Sequence, residues 1–159
     1  IEAYHTGCVT MCLQPEPDVV RTDEIFRVDL CDIAVDRLPN EIAHTAEVAT
    51  PFCYSRMLPL ERRVAAIDLL RKYQRAKLVI TSRLHCAIPC LAFGTPVVVI
   101  PDDKDDARFE CIRQYTPIYD MFDTHINYDP QPFKYDKLKQ SLIDSFKETV
   151  KSHFQQSQP

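Results

Sequence analysis

The sequence predicts an α/β domain: a Rossmann-like parallel sheet flanked by helices. Three observations carry this prediction. Residues 60–76, LERRVAAIDLLRKYQRA, place apolar side chains every three or four positions between charged ones, the pattern of an amphipathic helix. Two short apolar runs, KLVIT at 77–81 and PVVVI at 96–100, read as strands buried on both faces, as in parallel sheets. Between them, 82–95 is long enough for a helical crossover.

The remaining elements follow in chain order. Residues 1–13 contain GCVTMCL, which reads as strand-like with Gly7 as its turn. QPEPDVVRTDE, 14–24, has two prolines and several acids and reads as a loop or linker. IFRVDLC, 25–31, is a strand centred on 26–30, which DRLPNE then breaks. Residues 51–59 hold two prolines and form a connection to the helix. DDKDD, 102–106, is a solvated acidic loop in which nothing fixes a hard-metal site. Residues 115–132 are irregular. Leu138, Leu142, Phe146, Val150 and Phe154 repeat at four and give a final helix, 136–154, a single docking face.

Bulk properties narrow the function. The 159 residues suffice for one domain with a real core. With 19 Lys and Arg against 23 Asp and Glu, the net charge is −4, and no basic run offers an electrostatic footprint. A nucleic-acid partner is not expected. No apolar stretch approaches the roughly 20 residues of a membrane span, and no secretory signal opens the chain. Ile1 stands inside an ordered-looking segment, so a piece of something longer is expected. Seven cysteines, at 8, 12, 31, 53, 86, 90 and 111, form no CxxC. The pairs 8/12 and 86/90 lie far apart, and no closed metal site is expected. Free buried thiols suit a reducing compartment, with the cytoplasm as the expected location, or the Golgi lumen in a eukaryote.

The chemistry concentrates after the strand 77–81. In a parallel sheet, ligands bind beyond the carboxyl ends of the strands, where Thr81, Ser82, Arg83 and His85 fall. Ser82 is a candidate N-cap for a helix over 82–93, whose free N–H groups suit an anion. Arg83 adds a planar donor fork matched to carboxylate or phosphate. His85 can exchange a proton near neutral pH. Pro89 has no N–H for the carbonyl of His85, so either the helix kinks there or its regular part begins near Ile88. Gly94 supplies the positive φ that ends the helix, and Pro96 restarts the chain as a strand. The plain alternative is structural: Arg83 pairs with an acid elsewhere, and His85 is one more satisfied polar group.

AKLVITSRLHCAIPCLAFGTPVVVI resembles the signature of the polysaccharide pyruvyl transferase family. YHTGCVTMCL, FRVDLCD, RRVAAIDLLRKYQRA and DARFECIRQY resemble the family too, in its order, over residues 1–120. The resemblance implies the C-terminal half of a two-Rossmann-domain, GT-B-like fold. Residues 1–24 would then be the junction from a missing N-terminal half, and 25–159 the C-terminal domain. It further implies transfer of an enolpyruvyl unit from phosphoenolpyruvate to two hydroxyls of a glycan acceptor, giving a ketal in polysaccharide biosynthesis, with no cofactor. His85 would be the acid/base group. Arg83 would grip the donor's anion, with Ser82 and Leu84 beside it and Arg108 as a second cation. Arg56 is a further cation of this kind, while His5, His44, His125 and His153 read as structural or solvated. Cys86 stands where the family often has glycine, which puts slight crowding next to His85 but leaves the Arg-Leu-His triplet intact. Two other readings stay open: a sugar-nucleotide glycosyltransferase, for which no acid stands out to hold the ribose, and a non-catalytic remnant or interaction domain.

Overall fold

A computed structural model describes residues 8–51, 56–134 and 136–156. Its centre is a four-stranded parallel sheet in the order β2-β1-β3-β4, made of β1 (Ile25–Val28), β2 (Glu47–Ala49), β3 (Leu78–Thr81) and β4 (Val97–Val99). The pairings align Val28 with Thr81 and Thr81 with Val99. The predicted strands at 26–30, 77–81 and 96–100 are thus β1, β3 and β4, parallel where they adjoin.

Side chains alternate across the sheet, and both faces are covered. Phe26, Val28, Val79, Val97 and Val99 pack on one side with Tyr73, Ala87, Ile88, Leu91, Phe109 and Ile112. Leu78, Ile80, Val98 and Ile100 pack on the other with Ala34 and Leu38. This double burial explains why β3 and β4 read as unbroken apolar runs.

The first layer contains α3 (Pro59–Arg75), α4 (Leu84–Phe93), α5 (Glu110–Arg113) and α6 (Asp136–Gln156); the second contains α1 (Asp32–Asp36) and α2 (Asn40–Thr45). Pro59 begins α3, and Glu61 reaches back to the Leu58 N–H at 2.7 Å, satisfying a donor at the helix start. Gly94 ends α4 at φ 65°, ψ 29°. Its N–H and that of Thr95 close on the carbonyls of Leu91 and Cys90, at 3.1 and 2.8 Å.

One expectation is corrected. Val9–Cys12 is a short 3-10 helix rather than a strand: the Met11 N–H bonds back to the Cys8 carbonyl, and Met11 is buried against the core. Gly7, His5 and Cys53 lie outside the described residues, as does the side chain of His153. Residues 14–24 are a loop, and it is bound to the body. Glu16 and Gln74 exchange backbone-to-side-chain hydrogen bonds of 2.9 and 2.6 Å. The Thr22 N–H donates to the Arg75 carbonyl, and Glu24 pairs with Arg75 at 2.6 Å.

Candidate functional site

The strand order reverses at β1. The chain places β2 on one side of it, then returns through α3 to add β3 and β4 on the other. Such a reversal leaves a crevice beyond the carboxyl ends of the two central strands, where open α/β sheets take ligands. Because Val28 lies beside Thr81, the residues that follow each strand meet there: Asp29 from β1, and Ser82 and Arg83 from β3.

Asp29 has φ 50°, a left-handed conformation that aspartate tolerates better than most non-glycine residues. In this turn its carbonyl accepts the Ser82 hydroxyl, and its carboxylate lies 3.2 Å from Arg83 Nε. Thr81 adds a third tie, donating from Oγ1 to the Val28 carbonyl and accepting the Arg83 N–H at 2.9 Å. Ser82 is therefore not the N-cap: its hydroxyl joins the ends of β1 and β3, and Arg83 occupies the cap position with no side-chain cap bond. Sequence reasoning allowed Arg83 an acidic partner but did not find Asp29. Fifty-four positions separate the two, and only the sheet register brings them together.

Helix α4 is regular from Leu84, since Cys86 and Ala87 both donate to the Arg83 carbonyl. A start near Ile88 is thus overturned: Pro89 is accommodated inside the helix, and His85 sits in its first turn with an exposed side chain. The N–H groups of Leu84 and His85 come before any intrahelical acceptor, which leaves the turn with donors for an anion.

A cleft of about 230 Å³ opens here, lined by Ser82, Arg83, Leu84 and His85, and by Asp102, Asp103, Asp106 and Arg108 from the loop after β4. All five predicted site residues line this one cleft. The acidic loop is solvated as expected, yet it also forms a wall. Arg108 is engaged by its neighbour: Nη2 and Nε approach Asp106 Oδ2 at 2.5 and 2.8 Å. The Arg108 hydrogen bonds and charge hold the Asp106 carboxyl below its usual range, and Asp106 in turn raises Arg108. The expected second cation is thus held in an ion pair with its neighbour. The fork of Arg108 holds an internal carboxylate, which an anion entering the cleft would have to displace.

His85 also lines a second cleft, of about 430 Å³, between α3, α4 and the end of β2. A larger one of about 490 Å³ lies at the opposite, amino ends of the strands, among Asp23, Glu41, Lys77 and Asp129, away from this chemistry. Arg56, His44 and His125 are exposed and line neither of the clefts that His85 borders.

Beneath the mouth the groups are buried. Cys86 is buried, so its side chain occupies the core and not the cleft. The Tyr73 hydroxyl is buried against it without a nitrogen or oxygen partner. Burial pushes both the Tyr73 phenol and the Cys90 thiol well above their usual values, keeping them protonated. Cys8, Cys12, Cys31, Cys86, Cys90 and Cys111 are free. Among the described residues, no cluster of His, Cys, Asp or Glu could hold a metal, and no helix is long and apolar enough to cross a membrane.

No curated protein matches the chain. Among solved structures, one described as "Crystal Structure Analysis of the Glycotransferase of kitacinnamycin" is similar at 15% identity and a TM-score of 0.37, covering 84% of this chain and 39% of that one. The chain thus spans about two fifths of that structure's length. A family model described as polysaccharide pyruvyl transferase matches residues 3–104. That match takes in all four strands, Asp29 and the turn carrying Arg83 and His85, and on it the chain belongs to the polysaccharide pyruvyl transferase family.

Proposed function

We propose that the small cleft binds phosphoenolpyruvate and that His85 moves the protons as pyruvyl passes to a sugar. One observation supports this most directly: Arg83 and His85, two residues apart on one turn, line the same cleft at the strand reversal, with Arg108 across from them. The donor carries a carboxylate and a phosphate, which guanidinium forks and helix N–H groups can hold. In the reaction the donor's methylene carbon takes a proton and becomes a methyl group. A sugar hydroxyl adds to the adjacent carbon, phosphate departs with its bridging oxygen, and a second hydroxyl closes the ketal. Of the two hydroxyl protons, one is balanced by the new methyl hydrogen and the other leaves with phosphate. An exposed imidazole at the mouth can shuttle both. No cofactor is required, and the acceptor is a glycan of polysaccharide biosynthesis.

We also propose that residues 1–24 join this domain to an N-terminal half, and that residues 1–159 alone turn over weakly. Two features support this. Leu58 just before α3, and Leu60 and Val64 on its first turns, expose apolar side chains. The small cleft also presents three carboxylates beside its two guanidinium groups, one of which is already paired within it, so its grip on a donor carrying both a carboxylate and a phosphate is weak unless further cations come from elsewhere.

In the active full-length enzyme, His85→Ala should lower turnover by about 10²–10⁴-fold with little change in donor binding. Arg83→Lys should weaken donor binding first, because the charge stays while the fork is lost. Melting temperature and steady-state kinetics on the same preparations provide the check. A folded His85→Ala protein that turns over at the parent rate would end the assignment. Thermal shift separates the alternatives: stabilisation by a uridine or cytidine diphosphate sugar and not by phosphoenolpyruvate would favour a glycosyltransferase, and no shift with either a non-catalytic domain.

A further inference from the structure

We propose that the second cleft beside His85 is the subsite for the acceptor, taking a neutral pyranose by its apolar face. The inference rests on the proposed donor cleft only in that His85 borders both. The two clefts differ in chemistry. The small one is lined by charges of both signs. The larger carries no Asp, Glu, Lys or Arg: Ala66, Leu69 and Leu70 of α3 form one wall, Leu13 and Pro89 another, and its hydroxyl-bearing members are Thr10, Thr50 and Tyr73, the last with its hydroxyl buried. An anionic donor gains nothing from such a lining. A neutral ring with one C–H-rich face gains burial against the leucines and hydrogen-bond partners at the threonines.

Size and placement agree with this division. About 430 Å³ against about 230 Å³ gives the larger cleft room for a sugar ring and its neighbour, and the smaller room for a three-carbon phosphate ester. His85 is exposed and stands on the border. A ring seated on Leu69 and Leu70 would present hydroxyls to the imidazole from the cleft that Arg83 does not line. Charged acceptors are disfavoured, since no countercharge lines the cleft and desolvation would go uncompensated.

Saturation-transfer NMR on the 159-residue chain tests this with methyl glucopyranoside, methyl galactopyranoside and methyl mannopyranoside, with methyl glucuronoside as the charged comparison. Transfer to at least one neutral pyranoside, stronger than to the glucuronoside, is expected. Ala66→Glu puts a carboxylate at an exposed helical position on the cleft wall, where folding is not threatened. It should abolish that transfer while the thermal shift produced by phosphoenolpyruvate stays at the parent value. Leu69→Ala should reduce the transfer severalfold. Arg83→Lys should do the reverse, weakening the phosphoenolpyruvate shift and sparing the pyranoside. Transfer that survives Ala66→Glu, or no transfer to any neutral pyranoside, overturns the subsite whether or not phosphoenolpyruvate binds. A pyranoside that binds and is lost in Ala66→Glu, with no phosphoenolpyruvate shift in the parent, upholds the subsite and removes the donor reading instead.

Discussion

Asp29 ties Arg83 to the end of β1. Its left-handed backbone turns the carbonyl to Ser82 and the carboxylate to Arg83, and its side chain is only 11% exposed, while that of Arg83 is 47% exposed. Asp29→Gly keeps that backbone conformation without strain and removes only the carboxylate. We expect little change in melting temperature, because a half-exposed ion pair contributes on the order of 1 kcal/mol or less. The same protein should show a smaller thermal shift with phosphoenolpyruvate, since the fork loses its anchor. An unchanged shift would show that Asp29 does not position Arg83. Arg108 gives the opposite expectation. Asp106→Asn removes the carboxylate that occupies its fork, so the phosphoenolpyruvate shift should increase. At this scale the sequence was informative about which residue types meet an anion, because Ser82, Arg83 and His85 are contiguous or nearly so. It was silent on Asp29, whose partner is 54 positions away and is found only through the Val28–Thr81 register.

Among the elements, those with enough apolar residues to show a period were legible. Helices α3 and α6 and strands β3 and β4 appear in the sequence within one or two residues of their observed ends. β2 was not legible: it has three residues, lies at the sheet edge and exposes Val48, so burial leaves no pattern. Helices α1 and α2 are five and six residues long, about one turn each, and Pro39 separates them. The mistaken strand at GCVTMCL has the same origin: one buried turn of 3-10 helix and a short apolar run look alike without a longer period. The junction after α4 shows how a loop residue can act on two helices. Arg21 donates to the carbonyls of Ala76, Phe93 and Gly94 at 3.1, 3.2 and 2.7 Å, and to Thr95 Oγ1 at 3.3 Å. Arg21→Ala should therefore destabilise by about 1–3 kcal/mol, and Arg21→Lys should not restore it, since a single ammonium cannot span those acceptors. Gly94→Ala should cost about 1 kcal/mol through its positive φ alone. A new Cβ there would meet only ordinary contacts, 3.8 Å from the Phe133 carbonyl and 3.9 Å from Arg21. Chemical denaturation of the three variants checks the order.

For the molecule as a whole, the ionisable groups set opposite slopes of stability at the two ends of the pH scale. Glu24 and Asp106 are held below their usual values, by hydrogen bonds from Thr22 and Arg75 in the first case and from Arg108 in the second. A lowered folded pKa means the unfolded chain takes up protons first as pH falls. The stability they contribute is complete above the ordinary carboxylate range and is lost on acidification through the lowered values. At the alkaline end the sign reverses. Burial raises Cys90 and Tyr73, so the unfolded chain releases protons first, and the stability they contribute is complete below the ordinary thiol and phenol values and disappears as pH rises past them. Lys139 opposes this weakly. Burial lowers its ammonium, which favours the folded chain as pH rises. A fully buried thiol and a buried phenol together outweigh one lysine, so the alkaline slope should be a loss. Melting temperature should form a dome, with Glu24→Gln flattening its acid side and Cys90→Ala its alkaline side. Cys90→Ala should also be less stable than the parent at neutral pH, because it leaves a small cavity between α4 and the sheet. The distinguishing result is therefore a convergence of the two curves, with the variant less stable at neutral pH and closing the gap as the medium becomes alkaline. Parallel curves would show that the Cys90 thiol does not drive the alkaline loss.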